Sequence, residues 1–190
     1  MGVFNKLARW LGFDNLTARI LVIGLDNSGK TTLINNLKEE KSKLTEIAPT
    51  VGFTLTKILS ENGEIDIDIF DMSGQGKYRN LWEHYYSSVD ALMFVIDSSD
   101  PFRLVVVGEE LDMLMKNKKF RSNEIPMIFI TNKIDKTGSL NSTQISEKLN
   151  ISQIVSNSAS YQFIETNGLT GDGIQGGLDW LIQKIRLNKK

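Results

Sequence analysis

Eight consecutive residues, Gly24-Leu25-Asp26-Asn27-Ser28-Gly29-Lys30-Thr31, fit the pattern G-x-x-x-x-G-K-[ST] and lie between an apolar run at 20–23 and a stretch with helical spacing. The residue types dictate a chemistry. Glycines at both ends let the backbone curl closely around a polyphosphate, so that successive N–H groups and the positive end of the following helix face its charge. Asp26, Asn27, Ser28, Gly29, Lys30, Thr31 and Thr32 are therefore expected to line a phosphate site. Lys30 would reach the β- and γ-phosphates and stabilise charge during transfer, while the Thr31 hydroxyl would fill part of an octahedral Mg²⁺ shell.

Phosphate binding does not choose a base. That choice is legible at Asn132-Lys133-Ile134-Asp135, an N-K-x-D tetrad directly after the apolar run 126–130. A carboxylate at Asp135 accepts two hydrogen bonds from the N1–H and exocyclic amine of guanine; adenine offers an acceptor at N1 and no amine on that edge. Asn132 is expected to brace the loop and the Lys133 stem to lie along the ring.

Two further clusters complete a hydrolytic site. Asp71-Met72-Ser73-Gly74-Gln75 ends a strand-like run and matches D-x-x-G-Q. In that pattern Asp71 holds Mg²⁺ through a water, the Gly74 N–H senses the γ-phosphate, and the Gln75 amide orients the attacking water. Thr50, in Pro49-Thr50-Val51-Gly52-Phe53, could close the Mg²⁺ shell only while the γ-phosphate is present. The catalytic set is thus Gln75, Lys30 and Gly74, and the metal set Thr31, Thr50 and Asp71.

The elements that must hold these residues follow from hydrophobic pattern. At 190 residues, with 41% hydrophobic and 24% charged residues, the chain has the size and composition of one soluble globular domain. A net charge of −1 gives no electrostatic footprint for nucleic acid, and the absence of cysteine removes disulfides, thiolate metal sites and Cys nucleophiles. Buried strands are predicted at 20–23, 91–96, 126–130 and 162–164, and a hairpin at 53–59 and 65–70 around Asn62-Gly63. In the second hairpin strand Ile65, Ile67 and Ile69 alternate with Asp66 and Asp68, so one face is expected to meet solvent. Apolar runs alternating with helical patterns predict an α/β fold: six strands, mostly parallel with one antiparallel edge strand, and helices on both faces.

Residues 1–16 are set apart as a helix and linker preceding a single domain at 17–190. Val3, Phe4, Leu7, Ala8 and Leu11 share one face opposite Asn5, Lys6 and Arg9, the pattern of a short amphipathic helix that either packs on the domain or lies on a membrane. The aromatic cluster Tyr78, Trp82, Tyr85 and Tyr86, with His84, reads as divided between core packing and a partner-binding surface. His84, the single histidine, has no partner carboxylate motif and is read as a contact or packing residue.

The order GLDNSGKTT, PTVGF, DMSGQ, LWEHYY, NKID resembles the Arf family of small GTPases over nearly the whole chain. Within it, the run from Phe70 to Tyr86, with Ser73 before Gly74, is most similar to the ciliary, Bardet–Biedl-type Arf-like branch. That resemblance implies a monomeric GTP-binding switch with exchange factor, GTPase-activating protein and effector partners. It also implies a cytoplasmic protein peripheral to membrane, at the cilium or basal body, that recruits a BBSome-type coat. In the family, GTP slides the hairpin and expels the N-terminal helix from its groove toward lipid. The resemblance further assigns a last base-binding loop, here Thr166-Asn167-Gly168-Leu169, in which Asn167 and Gly168 contact the nucleotide and Gly168 stands where the family has Ala.

Three features modify the implication. Lys6 replaces the Ser or Thr of the usual acylation signal at Gly2, and the C-terminus carries no prenylatable Cys. Asp26 puts an anion where Ras-type proteins have glycine, and slow intrinsic hydrolysis is expected. The alternatives are a module that holds GTP without hydrolysing it, acting as a constitutive membrane adaptor, and an unrelated P-loop ATPase or kinase, against which the N-K-x-D tetrad speaks.

Overall fold

Along the first strand, Ile20 and Val22 alternate with Leu21 and Ile23, and all four are buried, so this strand packs apolar side chains on both faces and belongs at the centre of a sheet. The computed structural model of the chain describes residues 16–60, 65–155 and 160–189. The strands are β1 (Leu16–Ile23), β2 (Phe53–Leu59), β3 (Ile65–Met72), β4 (Ala91–Asp97), β5 (Met127–Asn132) and β6 (Tyr161–Thr166). The helices are α1 (Lys30–Asn36), α2 (Leu104–Lys116), α3 (Lys118–Arg121), α4 (Ser142–Lys148), α5 (Ile151–Ile154) and α6 (Ile174–Asn188), and a 3₁₀ segment spans Gly76–His84.

The sheet order is β2-β3-β1-β4-β5-β6. Only β2 and β3 are antiparallel, with Phe53 opposite Met72 and Leu59 opposite Asp66; every other pair is parallel. One face packs Leu21, Ile23, Phe94 and Phe129 against α2 and the Trp82 indole. The other packs Ile20, Val22, Met93 and Ile130 against Leu33 and Ile34 of α1 and Leu178, Leu181 and Ile185 of α6. Each fully buried aliphatic side chain contributes about 1.5–3 kcal/mol, which makes this two-sided core a rigid support for the loops at its carboxyl edge. Strand order reverses around β1, and in open α/β sheets ligands bind beyond the carboxyl ends of strands at such a switch point.

The mostly parallel six-stranded arrangement, its antiparallel edge and the helices on both faces agree with the sequence reading. Three details differ. First, β1 starts at Leu16, because pairing with β3 from Ile65 onward draws in residues too mixed in polarity to read as strand. Second, β6 is not a buried strand. It forms the outer edge of the sheet, with Tyr161, Gln162 and Glu165 exposed, since only β5 flanks it. Third, Asp66 and Asp68 are half-buried rather than fully solvated. The amphipathic segment at 1–13 and the Asn62-Gly63 turn lie outside the described residues. The strands flanking that turn pair as expected for a hairpin, up to Ser60 N–H on the Ile65 carbonyl at 2.9 Å.

Candidate functional site

The loop after β1 is closed by close approach of the Asn132 side chain. Gly29 caps α1 at φ 95°, and a Cβ there would lie 2.2 Å from Asn132 Nδ2. No other residue meets both conditions. Lys30 is buried; its Nζ donates to the carbonyls of Gly24 at 2.9 Å and Leu25 at 2.8 Å. Burial pulls the Lys30 ammonium down to about 8, against the charges of Asp71 and Asp26. A cation held among backbone carbonyls and out of solvent is suited to receive phosphate oxygens. Asn27, Ser28 and the half-buried Thr31 and Thr32 of the first α1 turn flank it.

Three hydroxyl and carboxylate groups far apart in sequence converge beside it. Thr31 Oγ1 donates to Asp71 Oδ2 at 2.6 Å and lies 3.1 Å from Thr50 Oγ1, which is itself 3.5 Å from Asp71 Oδ2. Burial pushes the Asp71 carboxyl up, partly offset by the Thr31 hydrogen bond and the Lys30 charge, and its Oδ1 is buried without a hydrogen-bond partner. An orphaned carboxylate oxygen with two hydroxyls at hand fits a divalent cation. Among the described residues no group of three or more His, Cys, Asp or Glu side chains could hold a metal. Mg²⁺ commonly takes one carboxylate and completes its shell with phosphates and water.

The segment around Gly74 is pinned to this site from several sides. Ser73 N–H donates to the Gly52 carbonyl at 2.8 Å, and the Trp82 indole N–H to the Ser73 carbonyl at 3.0 Å. The Gly74 carbonyl accepts from Asp26 N–H at 3.1 Å and from Arg79 Nε at 2.7 Å. Gln75 is half-buried, and its side chain has no hydrogen-bond partner among the described residues. Of the aromatic cluster, Trp82 and Tyr86 belong to the core, Tyr78 and Tyr85 are half-buried, and His84 is exposed. Tyr85 stands between Phe53 and Phe70, with ring centroids 5.4 and 5.2 Å away.

Asp26 is not a bare anion. Arg103 donates to its carboxylate at 2.6 Å and to its carbonyl at 2.9 Å, and Arg79 stands 3.5 Å away. Burial opposes ionisation, but the Arg103 hydrogen bond and charge outweigh it and hold the Asp26 carboxyl below its ordinary value. Arg79 also pairs with Glu110 of α2 at 2.9 Å.

The base-side loops are braced on the phosphate loop. Asn132 Nδ2 donates to the Ser28 carbonyl at 2.8 Å, and its Oδ1 accepts from Thr166 Oγ1 at 3.0 Å. Lys133, at φ 67°, sends Nζ to the Asn27 carbonyl and to Asp97 Oδ2, both at 2.6 Å. Asp135 is exposed at the rim. Asn167 folds its side chain back to accept from Leu169 N–H at 2.9 Å, and Gly168 lies against the Asn132 side chain.

The structure brings Asp26 to Thr32, Thr50, Asp71, Gly74, Asn132, Lys133, Asn167 and Gly168 together at one end of the sheet, while the Gln75 and Asp135 side chains make no hydrogen bond or ion pair to them among the described residues. Sequence reading missed Asp97, Arg79, Arg103, Glu110 and Asn36. A carboxylate at the end of an apolar strand, the signal that marked Asp71, also marks Asp97. The arginines and Glu110 carry no local signal, because their partners come from other elements.

Comparison with known proteins agrees with this geometry. The family model described as the ADP-ribosylation factor family matches residues 4–185. ADP-ribosylation factor-like protein 6 of Danio rerio is 42% identical over 189 residues, covering 100% of both chains. The protein of the same name from Caenorhabditis elegans is 37% identical over 97% of this chain and 95% of its own. The solved structure of the Arl6 BBS3 small GTPase from Trypanosoma brucei, with the bound nucleotide analogue GppNp, superposes with a TM-score of 0.81 at 34% identity, covering 90% of this chain and 98% of that one. A phosphate loop, a guanine-type tetrad and a D-x-x-G-Q segment on one sheet edge, with these relatives at full length, make the chain a member of the ADP-ribosylation factor family, an Arf-like small GTPase that binds guanine nucleotide and hydrolyses GTP.

Proposed function

We propose that the chain is a GTP-operated switch in which Thr50 reports the nucleotide state through a Mg²⁺ shared with Thr31 and Asp71. The observation that carries this reading is the convergence of Thr50 on Thr31 and Asp71, because it ties the segment before β2 and the hydrolytic segment to one point. Mg²⁺, when bound, neutralises phosphate charge and polarises the bond to be broken. Residues Asp26 to Thr32 bind the phosphates through the backbone N–H groups not already bonded to Gly74 or within the loop and through the Lys30 ammonium, and Gly74 N–H meets the γ-phosphate. Gln75 orients the attacking water. Asn132, Lys133, Asp135, Asn167 and Gly168 hold the base.

Hydrolysis without an activating protein is slow in this reading. The untethered Gln75 amide must be ordered at each turnover, and ordering a long polar side chain costs roughly 1.5–2 kcal/mol. The Arg103 and Arg79 contacts offset the charge of Asp26, so side-chain ordering rather than bare repulsion sets the rate.

Chelation of Mg²⁺ is expected to speed GDP release at least about tenfold. Thr31→Ala should reproduce much of that acceleration, whereas Thr50→Ala should weaken binding of the triphosphate analogue far more than that of GDP. Stopped-flow release of a fluorescent nucleotide distinguishes these cases; equal effects of Thr50→Ala on both nucleotides would remove Thr50 as the sensor.

The output proposed is membrane association of residues 1–13 in the GTP state and recruitment of a BBSome-type coat at the cilium. The likeness to the Arl6 BBS3 protein supports the partner, and the amphipathic spacing of Val3, Phe4, Leu7, Ala8 and Leu11 supports the membrane role. No helix among the described residues is long and apolar enough to cross a membrane. In liposome co-sedimentation of non-acylated protein, only the full-length GTP-analogue form should pellet. Pelleting that persists after removal of residues 1–13 would refute the anchor. Binding of purified BBSome that is equal in GDP and GTP-analogue forms would refute the switch output.

A further inference from the structure

The base-recognition loop 167–172 is rich in glycine; the Gly168 N–H makes no hydrogen bond among the described residues, and with Gly168 holding the base it is the donor for guanine O6. Most of the loop's order is internal. Asn167 N–H donates to the Asp172 carbonyl at 3.2 Å, Gly171 N–H to the Asn167 carbonyl at 2.9 Å, and Thr170 Oγ1 to Asp172 Oδ2 at 2.7 Å. These bonds fix the shape of the loop but not its position relative to the phosphate site.

Position is supplied from two sides: Thr166 Oγ1 donates to Asn132 Oδ1, whose Nδ2 donates to the Ser28 carbonyl, and α1 reaches the loop from the other side. Asn36, the last residue of α1, donates through Nδ2 to the Gly168 carbonyl at 2.7 Å and to the Thr32 carbonyl of its own helix at 3.2 Å. Its side chain also fills the space under Gly171, where an added Cβ would lie 3.2 Å from Asn36 Cβ and Cγ. Both amide hydrogens are therefore committed, one to the helix that begins with Lys30 and Thr31, the other to the loop. A helix of seven residues is a strut about 10 Å long, with the phosphate site at one end and the base loop at the other.

We propose that Asn36 is a positioning residue for guanine: it holds the Gly168 peptide at a fixed distance from the phosphate loop, so that the Gly168 N–H meets O6 without ordering cost on binding. The inference rests on the reading that loop 167–172 faces the base. Asn36 does not touch the nucleotide. Its effect passes through Gly168.

The test is a double comparison with GDP and 6-thio-GDP, which keeps the N1–H and exocyclic amine of guanine but replaces O6 by a weaker sulfur acceptor. Wild type and the variants Asn36→Ala and Asn36→Asp are measured by displacement of a fluorescent nucleotide. Asn36→Asp keeps the shape but turns a carboxylate toward the Gly168 carbonyl. The expected result is a loss of GDP affinity of about three- to tenfold in each variant, with a smaller loss for 6-thio-GDP, so that the preference for oxygen over sulfur shrinks. A variant that weakens both nucleotides equally, or neither, overturns the positioning role while leaving the base loop in place. Wild type that binds both nucleotides equally overturns the O6 contact itself, and the inference with it.

Discussion

Asp135→Asn is expected to lower affinity for GDP by about 100- to 10,000-fold, because two hydrogen bonds to a charged acceptor, each worth roughly 1.5–3 kcal/mol, are lost together. The geometry makes this a clean change. Asp135 is exposed at the rim, and the loop's own bracing runs through Asn132 to Ser28 and Thr166 and through Lys133 to Asn27 and Asp97, none of which the substitution touches. An amide at this position presents a donor where guanine's amine also donates, so the pair repels. Xanthine carries a carbonyl there, and the variant should bind xanthosine diphosphate better than GDP. Competition binding with both nucleotides reads the reversal directly. GDP affinity that survives the substitution would remove Asp135 from the base site.

Gly74→Ala is expected to reduce single-turnover GTP hydrolysis by about 100-fold, the scale on which displacement of a reacting group by roughly 1 Å acts. An added Cβ would fall 2.3 Å from both Asp26 N and Leu25 C and 2.5 Å from the Gly24 carbonyl oxygen. These are backbone atoms of the phosphate loop and cannot swing aside as a side chain would. The segment must lift away, and the bonds that pin it share the strain: Asp26 N–H and Arg79 Nε to the Gly74 carbonyl, and Ser73 N–H to Gly52. Gln75 moves with it. Trp82, buried and bonded to the Ser73 carbonyl, provides the companion signal, since its fluorescence response to a triphosphate analogue should be lost in the variant. Hydrolysis within a few-fold of wild type would mean that the close contact of Gly74 with the loop is dispensable for chemistry.

The two variants probe different halves of one construction. In the proposed reading base selection depends on an exposed carboxylate carried by loops that are braced without it, so the loss is local. Hydrolysis in the same reading depends on a glycine wedged between elements, where a methyl group disturbs contacts to the phosphate loop, to the Thr50 segment and to α2 through Arg79 and Glu110.

The sequence by itself made the expected chemistry legible, because the motifs that carry it are contiguous residues whose local geometry needs no distant partner to be recognised. The full G-x-x-x-x-G-K-[ST] spacing from Gly24 to Thr31 between a strand and a helix is the pattern that points to a phosphate site. The N-K-x-D and D-x-x-G-Q segments are likewise self-contained, and the six strands were readable from alternation and apolar runs. Tertiary structure alone decided what depends on contacts between distant elements. It brought Thr50 and Asp71 onto Thr31, and it left β6 half-exposed because no strand lies beyond it. It divided the aromatic cluster by sending Trp82 and Tyr86 into the core. It surrounded Asp26 with Arg103 and Arg79, and it set Asn36 under Gly168. Polar side chains on loops and helix ends carry no periodicity, so their partners become legible only when the sheet fixes which strand ends stand side by side.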